Sequence, residues 1–301
     1  MPKYGHVERQ YGHGMTDLIG FGSAERVRNS TNFYKAKDNL MIIDAHVHLA
    51  AVNKDRTFAQ SRSLLLADLQ QHGIDAAIVI PDNIPGSAIG DLPTCVDLLA
   101  DTPNLFLMGT IDIQTQGRDW IAYLKHLILR RTIVAIKIFP GHDPITPTDP
   151  RLDPVYRLCQ THAIPIVIHT GANPGDPHAA RYNDPKYILT VAEAFPDLNI
   201  VIAHLFWPKI DYCYELTRAC PRIYYDLSAL ADPEVIAVTG RDRLLSLLTR
   251  IATDPPNRLI FGSDAAMCSR EAHLRLVDEL EVGEEAREGI LGGNAIELYR
   301  I

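Results

Sequence analysis

From residue 41 onward the chain alternates between two hydrophobic patterns. Short runs that are apolar at nearly every position give way, after a polar loop, to stretches with apolar residues three or four apart. The first pattern is that of a β-strand buried on both faces, the second that of an amphipathic helix. Strand patterns occupy 41–49, 75–80, 105–111, 133–139, 164–169, 198–204, 223–227 and 258–262. Helical patterns occupy 57–72, 118–129, 154–162, 185–195, 210–219, 233–251 and the region from Arg270 to the end. Pro81 stops the second strand. Gly73 ends the first helix, whose buried side is expected to carry Leu64, Leu65, Ala67 and Leu69.

Strands and helices in alternation imply a parallel sheet. Eight strands so arranged in about 260 residues match a closed α/β barrel, the (β/α)8 TIM barrel. A doubly wound open sheet would bring a glycine-rich turn after the first strand, and none follows Leu49. The expected organisation is therefore a barrel over 41–301 preceded by an N-terminal extension, 1–40. The extension shows no sustained apolar period. It reads either as a flexible tail or as an arm anchored by Tyr4, Tyr11, Phe21, Phe33 and Tyr34 on the barrel or on a second subunit, and it carries His6 and His13.

Composition narrows the function classes. A hydrophobic fraction of 47% with 22% charged residues describes an ordinary globular chain with material for a large core. The net charge of −8 leaves no basic footprint for nucleic acid. No apolar run approaches the ~20 residues that span a bilayer, and the N-terminus lacks a secretory pattern. The five cysteines show no paired spacing and read as reduced thiols, which points to the cytoplasm. The expected partners are a small-molecule substrate and, through the arm, further copies of the chain; nucleic acid and membrane are not expected.

The polar residues that interrupt the strand patterns are the candidates for chemistry. Strict alternation along 41–49 puts Asp44, His46 and His48 on one face, where two imidazoles can reach the same cation. The pattern H-x-H is weak alone. In a barrel, however, the active site lies at the C-terminal strand ends, and there stand Lys137, His169, His204 and Asp264 as well. Three imidazoles and a carboxylate suit a catalytic zinc, with manganese or iron as related divalent ions. Arg56 and Arg181, in the loops after strands 1 and 5, could receive a substrate carboxylate. His142, His178, Asp226 and Trp207 fall on the same side and could touch substrate. Cys268 follows Asp264 closely, but a thiol nucleophile is redundant beside a metal-activated water.

These residues sit in motifs that resemble the amidohydrolase superfamily: D-A-H-V-H-L at 44–49, A-I-K-I-F-P at 135–140 and P-I-V-I-H-T-G at 165–171. D-P-K-Y-I-L at 184–189, F-P-D-L-N-I-V-I-A-H at 195–204, F-G-S-D-A at 261–265 and G-N-A-I-E-L-Y at 293–299 extend the likeness. Order and spacing are most similar to the amidohydrolase-2 branch, which includes aminocarboxymuconate semialdehyde decarboxylase, lactonases and hydratases. The resemblance implies metal ligation by His46, His48, His169 and Asp264. It implies proton handling by His204 and a substrate-facing or, with two ions, carbamylated Lys137. One divalent metal is expected. The implied reaction is hydrolysis of an amide, ester or lactone in a small, carboxylated substrate, with non-oxidative decarboxylation as the alternative. A TatD-type nuclease would need a carboxylate where Lys137 stands. A barrel that binds without turnover is the reading from another class.

Overall fold

The computed structural model describes residues 40–172 and 178–301. The expected arm, with His6, His13 and its aromatic anchors, lies outside the described residues. Eight parallel strands run in sequence order: β1 Ile43–Val47, β2 Ala76–Val79, β3 Leu105–Thr110, β4 Ile133–Ile138, β5 Ile166–His169, β6 Ile200–Ala203, β7 Ile223–Asp226 and β8 Leu259–Ile260. Backbone hydrogen bonds from Ala45 N to Phe261 O (3.0 Å), Asp264 N to His46 O (2.8 Å) and His48 N to Ala265 O (2.5 Å) join the first strand to the last. The sheet thus closes into the expected barrel.

Helices cover its outside: α1 Phe58–Gln71, α2 Leu92–Leu99, α3 Arg118–Leu129, α4 Asp153–His162, α5 Pro185–Ala194, α6 Ile210–Thr217, α7 Pro233–Thr239, α8 Arg241–Thr253, α9 Arg270–Asp278, α10 Glu284–Glu288 and α11 Asn294–Tyr299. Thr57 starts α1 with a reciprocal capping box to Gln60. Two helical expectations change. α2 is absent from the sequence pattern because it is only eight residues long and carries Pro93 in its first turn; Asp91 caps it by accepting from Thr94 N. The expected helix over 233–251 is two helices, broken at Gly240, whose φ of +83° no helix accommodates. On α1, Leu65 and Leu69 are buried but Leu64 faces outward, 50% exposed.

Cross-strand pairing sorts the strand residues into two layers. Thr110, Lys137, Val167, Val201 and Tyr224 pair in succession around the barrel, and above them His169, Ala203, Asp226 and Ile260 do the same. These side chains point inward, with Ile78, Met108 and Ala135; Ala295, Leu298 and Tyr299 of α11 pack against this inner cluster. The alternate positions, such as Val79, Leu107, Ile136, Ile168 and Ile202, face the helices. All five cysteines are free, and no helix among the described residues is long and apolar enough to cross a membrane.

Candidate metal centre

β1 departs from simple alternation. Asp44 pairs with Ala77 and Val47 with Val79, both in the helix-facing layer, yet Asp44 and Val47 are three positions apart where Ala77 and Val79 are two. A β-bulge absorbs the odd residue. The two imidazoles therefore turn into the barrel while Asp44 turns out of it, contrary to the expectation that all three share a face. There Asp44, fully buried, accepts from Ser263 N (2.9 Å), Ser263 Oγ (2.5 Å) and Arg270 Nε (2.9 Å). Arg270 also reaches Asp68 of α1. Asp44 is a strut between the first strand, the last strand and α9.

His46 and His48 are held by their Nδ1 atoms. That of His46 lies 2.5 Å from Asp226 Oδ2, and that of His48 lies 2.9 Å from the Ile80 carbonyl. An ionised carboxylate and a carbonyl can only accept, so each Nδ1 carries the proton and each Nε2 offers a lone pair. Asp264 Oδ1 faces both, 3.6 Å from His46 Nε2 and 3.3 Å from His48 Nε2. The donor atoms of His46, His48 and Asp264 all lie within 4.8 Å of one another. This nitrogen–oxygen set fits a divalent metal ion such as zinc, manganese or iron.

The charges agree with that reading. Burial works against the Asp226 carboxylate, but His46 beside it prevails and takes its pKa down to about 2. Burial opposes Asp264 too, yet a proton on His48 Nε2, standing where a cation would, holds it well below the usual carboxylate range, with His46 and His204 adding to the effect. Local sequence explains the placement. A Cβ on Gly262 would lie 2.6 Å from Asp226 Oδ1 and 2.8 Å from His46 Cβ, so only glycine lets the last strand pass so close. Ser263 ties to Asp44, and Asp264 takes a left-handed φ of 57° that turns it inward.

A row of rings leads away from this group. His46 stacks near His204 (centroids 5.2 Å apart), His204 near His169 (4.8 Å), and His169 near His142 (4.4 Å). His169, the expected fourth ligand, thus stands one ring beyond the His46–His48–Asp264 group. His204 Nδ1 is 3.1 Å from Ser228 O and 2.9 Å from Ser228 Oγ, which leaves its Nε2 as an acceptor. Burial pushes its pKa down to about 3, so the ring is neutral at physiological pH. His204, Leu205 and Phe206 all have positive φ (63°, 48° and 55°), at about 1–2 kcal/mol each for residues with a Cβ. Such strain gathers where function requires it.

Lys137 points inward from β4, 1% exposed, and its Nζ has no hydrogen-bond partner among the described residues. Burial lowers its pKa to about 8, with Asp226 and Asp264 pulling the other way. The residues expected to touch substrate divide. His142 belongs to the ring row and packs on Phe139. Trp207 follows the His204 turn and donates from Nε1 to Thr239 Oγ1 (3.2 Å). Arg56 instead donates to the Ala51 carbonyl, and Arg181 is exposed, stacked on Tyr182. Burial raises the Cys268 thiol, which leaves it no nucleophile near neutrality. Ser228 and Thr170 carried no signal in the sequence, since a small hydroxyl after a strand is common. Asp226 was visible as a carboxylate at a strand end, but its partner was not.

One comparison gives this geometry its family. The amidohydrolase family profile matches residues 43–301, which is the whole barrel. The chain belongs to the amidohydrolase family. Among solved structures, this amidohydrolase is similar to an uncharacterised TIM-barrel protein from Bordetella bronchiseptica, with 21% identity over 87% of this chain and 99% of that one and a TM-score of 0.69. It is also similar to a probable 2-pyrone-4,6-dicarboxylic acid hydrolase from Acinetobacter baumannii (14% identity, 86% and 99% covered, TM-score 0.63). A third is 5-carboxyvanillate decarboxylase from Sphingomonas paucimobilis (14%, 87% and 100%, TM-score 0.58). At these identities the likeness is one of fold. No curated protein matched the sequence.

Proposed function

We propose that this amidohydrolase is a metal-dependent hydrolase that cleaves an amide, ester or lactone bond in a small carboxylated substrate. The observation that carries the reading is the convergence of His46 Nε2, His48 Nε2 and Asp264 Oδ1 at the C-terminal end of the barrel, with Asp226 and Ile80 orienting the two imidazoles. His46, His48 and Asp264 would hold one divalent ion, zinc by preference, with His169 as the candidate that completes the set. Bound there, such an ion acidifies water and polarises a carbonyl oxygen.

The chain's own residues do the rest. Asp264 has carboxylate oxygen to spare for orienting the attacking water. His204, neutral and with Nε2 free to accept, takes a proton from that water and passes it to the leaving group. Lys137 is a buried ammonium whose missing partner is the substrate carboxylate, a charge-assisted pair in a low-dielectric wall. Both named neighbours act on carboxylic acids, which supports this part of the reading. An arginine facing the site would favour decarboxylation; of the two loop candidates, Arg56 donates to the Ala51 carbonyl and Arg181 to the Tyr182 hydroxyl.

The test is elemental analysis of protein purified without chelator, followed by a panel of carboxylated lactones, esters and amides. About one metal per chain with hydrolysis products supports the proposal. Release of CO2 without hydrolysis replaces it with the lyase reading, and two ions per chain turn Lys137 into a bridging carbamate. A companion prediction concerns Lys137. Lys137→Met is expected to raise KM by about 10–100-fold with metal content unchanged, the size of a lost charge-assisted hydrogen bond. In the unsubstituted enzyme the amine is charged below a pH of about 8 and neutral above it. KM is therefore flat on the acid side and climbs as pH passes that value, and the climb is absent in Lys137→Met. A flat KM across pH 7–10, measured by steady-state kinetics, would remove Lys137 from the substrate site.

A further inference from the structure

The turn that presents His204 is held from the neighbouring strand. Thr170 follows His169 directly, is 1% exposed, and makes two hydrogen bonds through one hydroxyl. Oγ1 donates to the carbonyl of Ala203, the residue before His204 (2.6 Å), and accepts from the amide of Phe206, two residues after it (2.8 Å). The three left-handed residues lie inside that bracket. The contact continues along the same strand exit. Gly171, at φ +94°, runs so close that a Cβ would meet the Trp207 carbonyl oxygen at 2.7 Å, and Ala172 N donates to that oxygen (2.9 Å). Nothing local favours three successive positive φ angles in His-Leu-Phe, so the conformation is imposed by tertiary contacts.

We propose that Thr170 is a positioning residue. Its hydroxyl holds the strained turn that aims the His204 ring, so the strand that carries His169 also sets the geometry of His204. The importance of this for turnover rests on His204 handling the proton in the proposed function. Without the hydroxyl, Ala203 O and Phe206 N lose the partner they share, and the turn relaxes toward ordinary φ values. The ring then leaves its place between His46 and His169.

The experiment compares Thr170→Val, which keeps the shape and removes the hydroxyl, with Thr170→Ser, which keeps the hydroxyl, and with His204→Asn. Thr170→Val is expected to lower kcat by about 10–100-fold, with KM and metal content unchanged, as misplacement of a catalytic group by an ångström does. Thr170→Ser restores kcat to within about threefold, since the two hydrogen bonds remain. In chelator-treated protein the 15N ring signals of His204 shift in Thr170→Val and not in Thr170→Ser. Should Thr170→Val not fold, Thr170→Ala carries the same comparison. A wild-type kcat with unmoved ring signals in Thr170→Val overturns the inference, as does equal impairment of the serine and valine variants. If His204→Asn retains full activity, proton handling by His204 fails. The ring signals alone then decide whether Thr170 holds the turn, a shift upholding it and no shift overturning it.

Discussion

Asp264→Ala is expected to lower kcat/KM by at least ~10³-fold, equivalent to about 4 kcal/mol of transition-state stabilisation, and to release the bound metal. His46 and His48 are neutral donors once their Nδ1 protons are committed to Asp226 and Ile80, so Asp264 brings the one anionic donor to the group. Its removal takes away both the charge that holds a cation and the oxygen that orients water. The metal-free fold should tolerate the change. Asp264 is hydrogen-bonded through its backbone to His46, Met267 and Cys268, and those bonds do not involve the carboxylate. Circular dichroism should therefore overlay that of wild type while elemental analysis shows loss of metal. Asp264→Asn, which keeps the shape and suits the left-handed φ better than alanine, should be nearly as inactive. Full activity in both variants would show that the cation, if any, sits elsewhere.

The second large effect concerns stability. Asp44→Ala is expected to destabilise the protein by about 3–5 kcal/mol, measured by urea unfolding, because it removes the buried partner of the buried Arg270 charge. Arg270 is 2% exposed, and Asp68, its other partner, is half open to water. The Ser263 amide loses its acceptor as well. Asp44→Asn should cost less, since one amide oxygen can still accept from Ser263. A loss below about 1 kcal/mol in Asp44→Ala would mean that Arg270 finds solvent or another carboxylate.

Asp44 also marks where sequence reading stops. The strands were legible because inner and outer layers are both apolar, and continuous runs betray such strands at sight. Strict alternation then put Asp44 beside His46 and His48. The bulge that separates them leaves no mark in D-A-H-V, which holds neither Gly nor Pro; it is visible only in the register against β2. α2 escaped for a related reason, as eight residues with a proline give too short a period to read. The strand-end positions of His46, His48, Lys137, His169, His204 and Asp264 were all predictable from barrel geometry. Which rings stand next to which was not, because ring order depends on how far each side chain leans across the barrel. That lean sets His169 against His204 and His142. The directions of Arg56, toward the Ala51 carbonyl, and of Arg181, over Tyr182, were not legible because loop position fixes a Cα and not the direction of a long side chain.

The seam between the first and last strands has a consequence for how the molecule is made. Residues 46 and 48 leave the ribosome early and Asp264 more than two hundred residues later, yet all three belong to one group of donors at that seam. During synthesis the imidazoles wait without their carboxylate, and the site matures only when the final strand docks against β1. Metal uptake by this group would therefore report completion of the barrel. An ion held across the junction would act as a clasp, retarding the reopening of the one strand pair whose two halves are farthest apart along the chain.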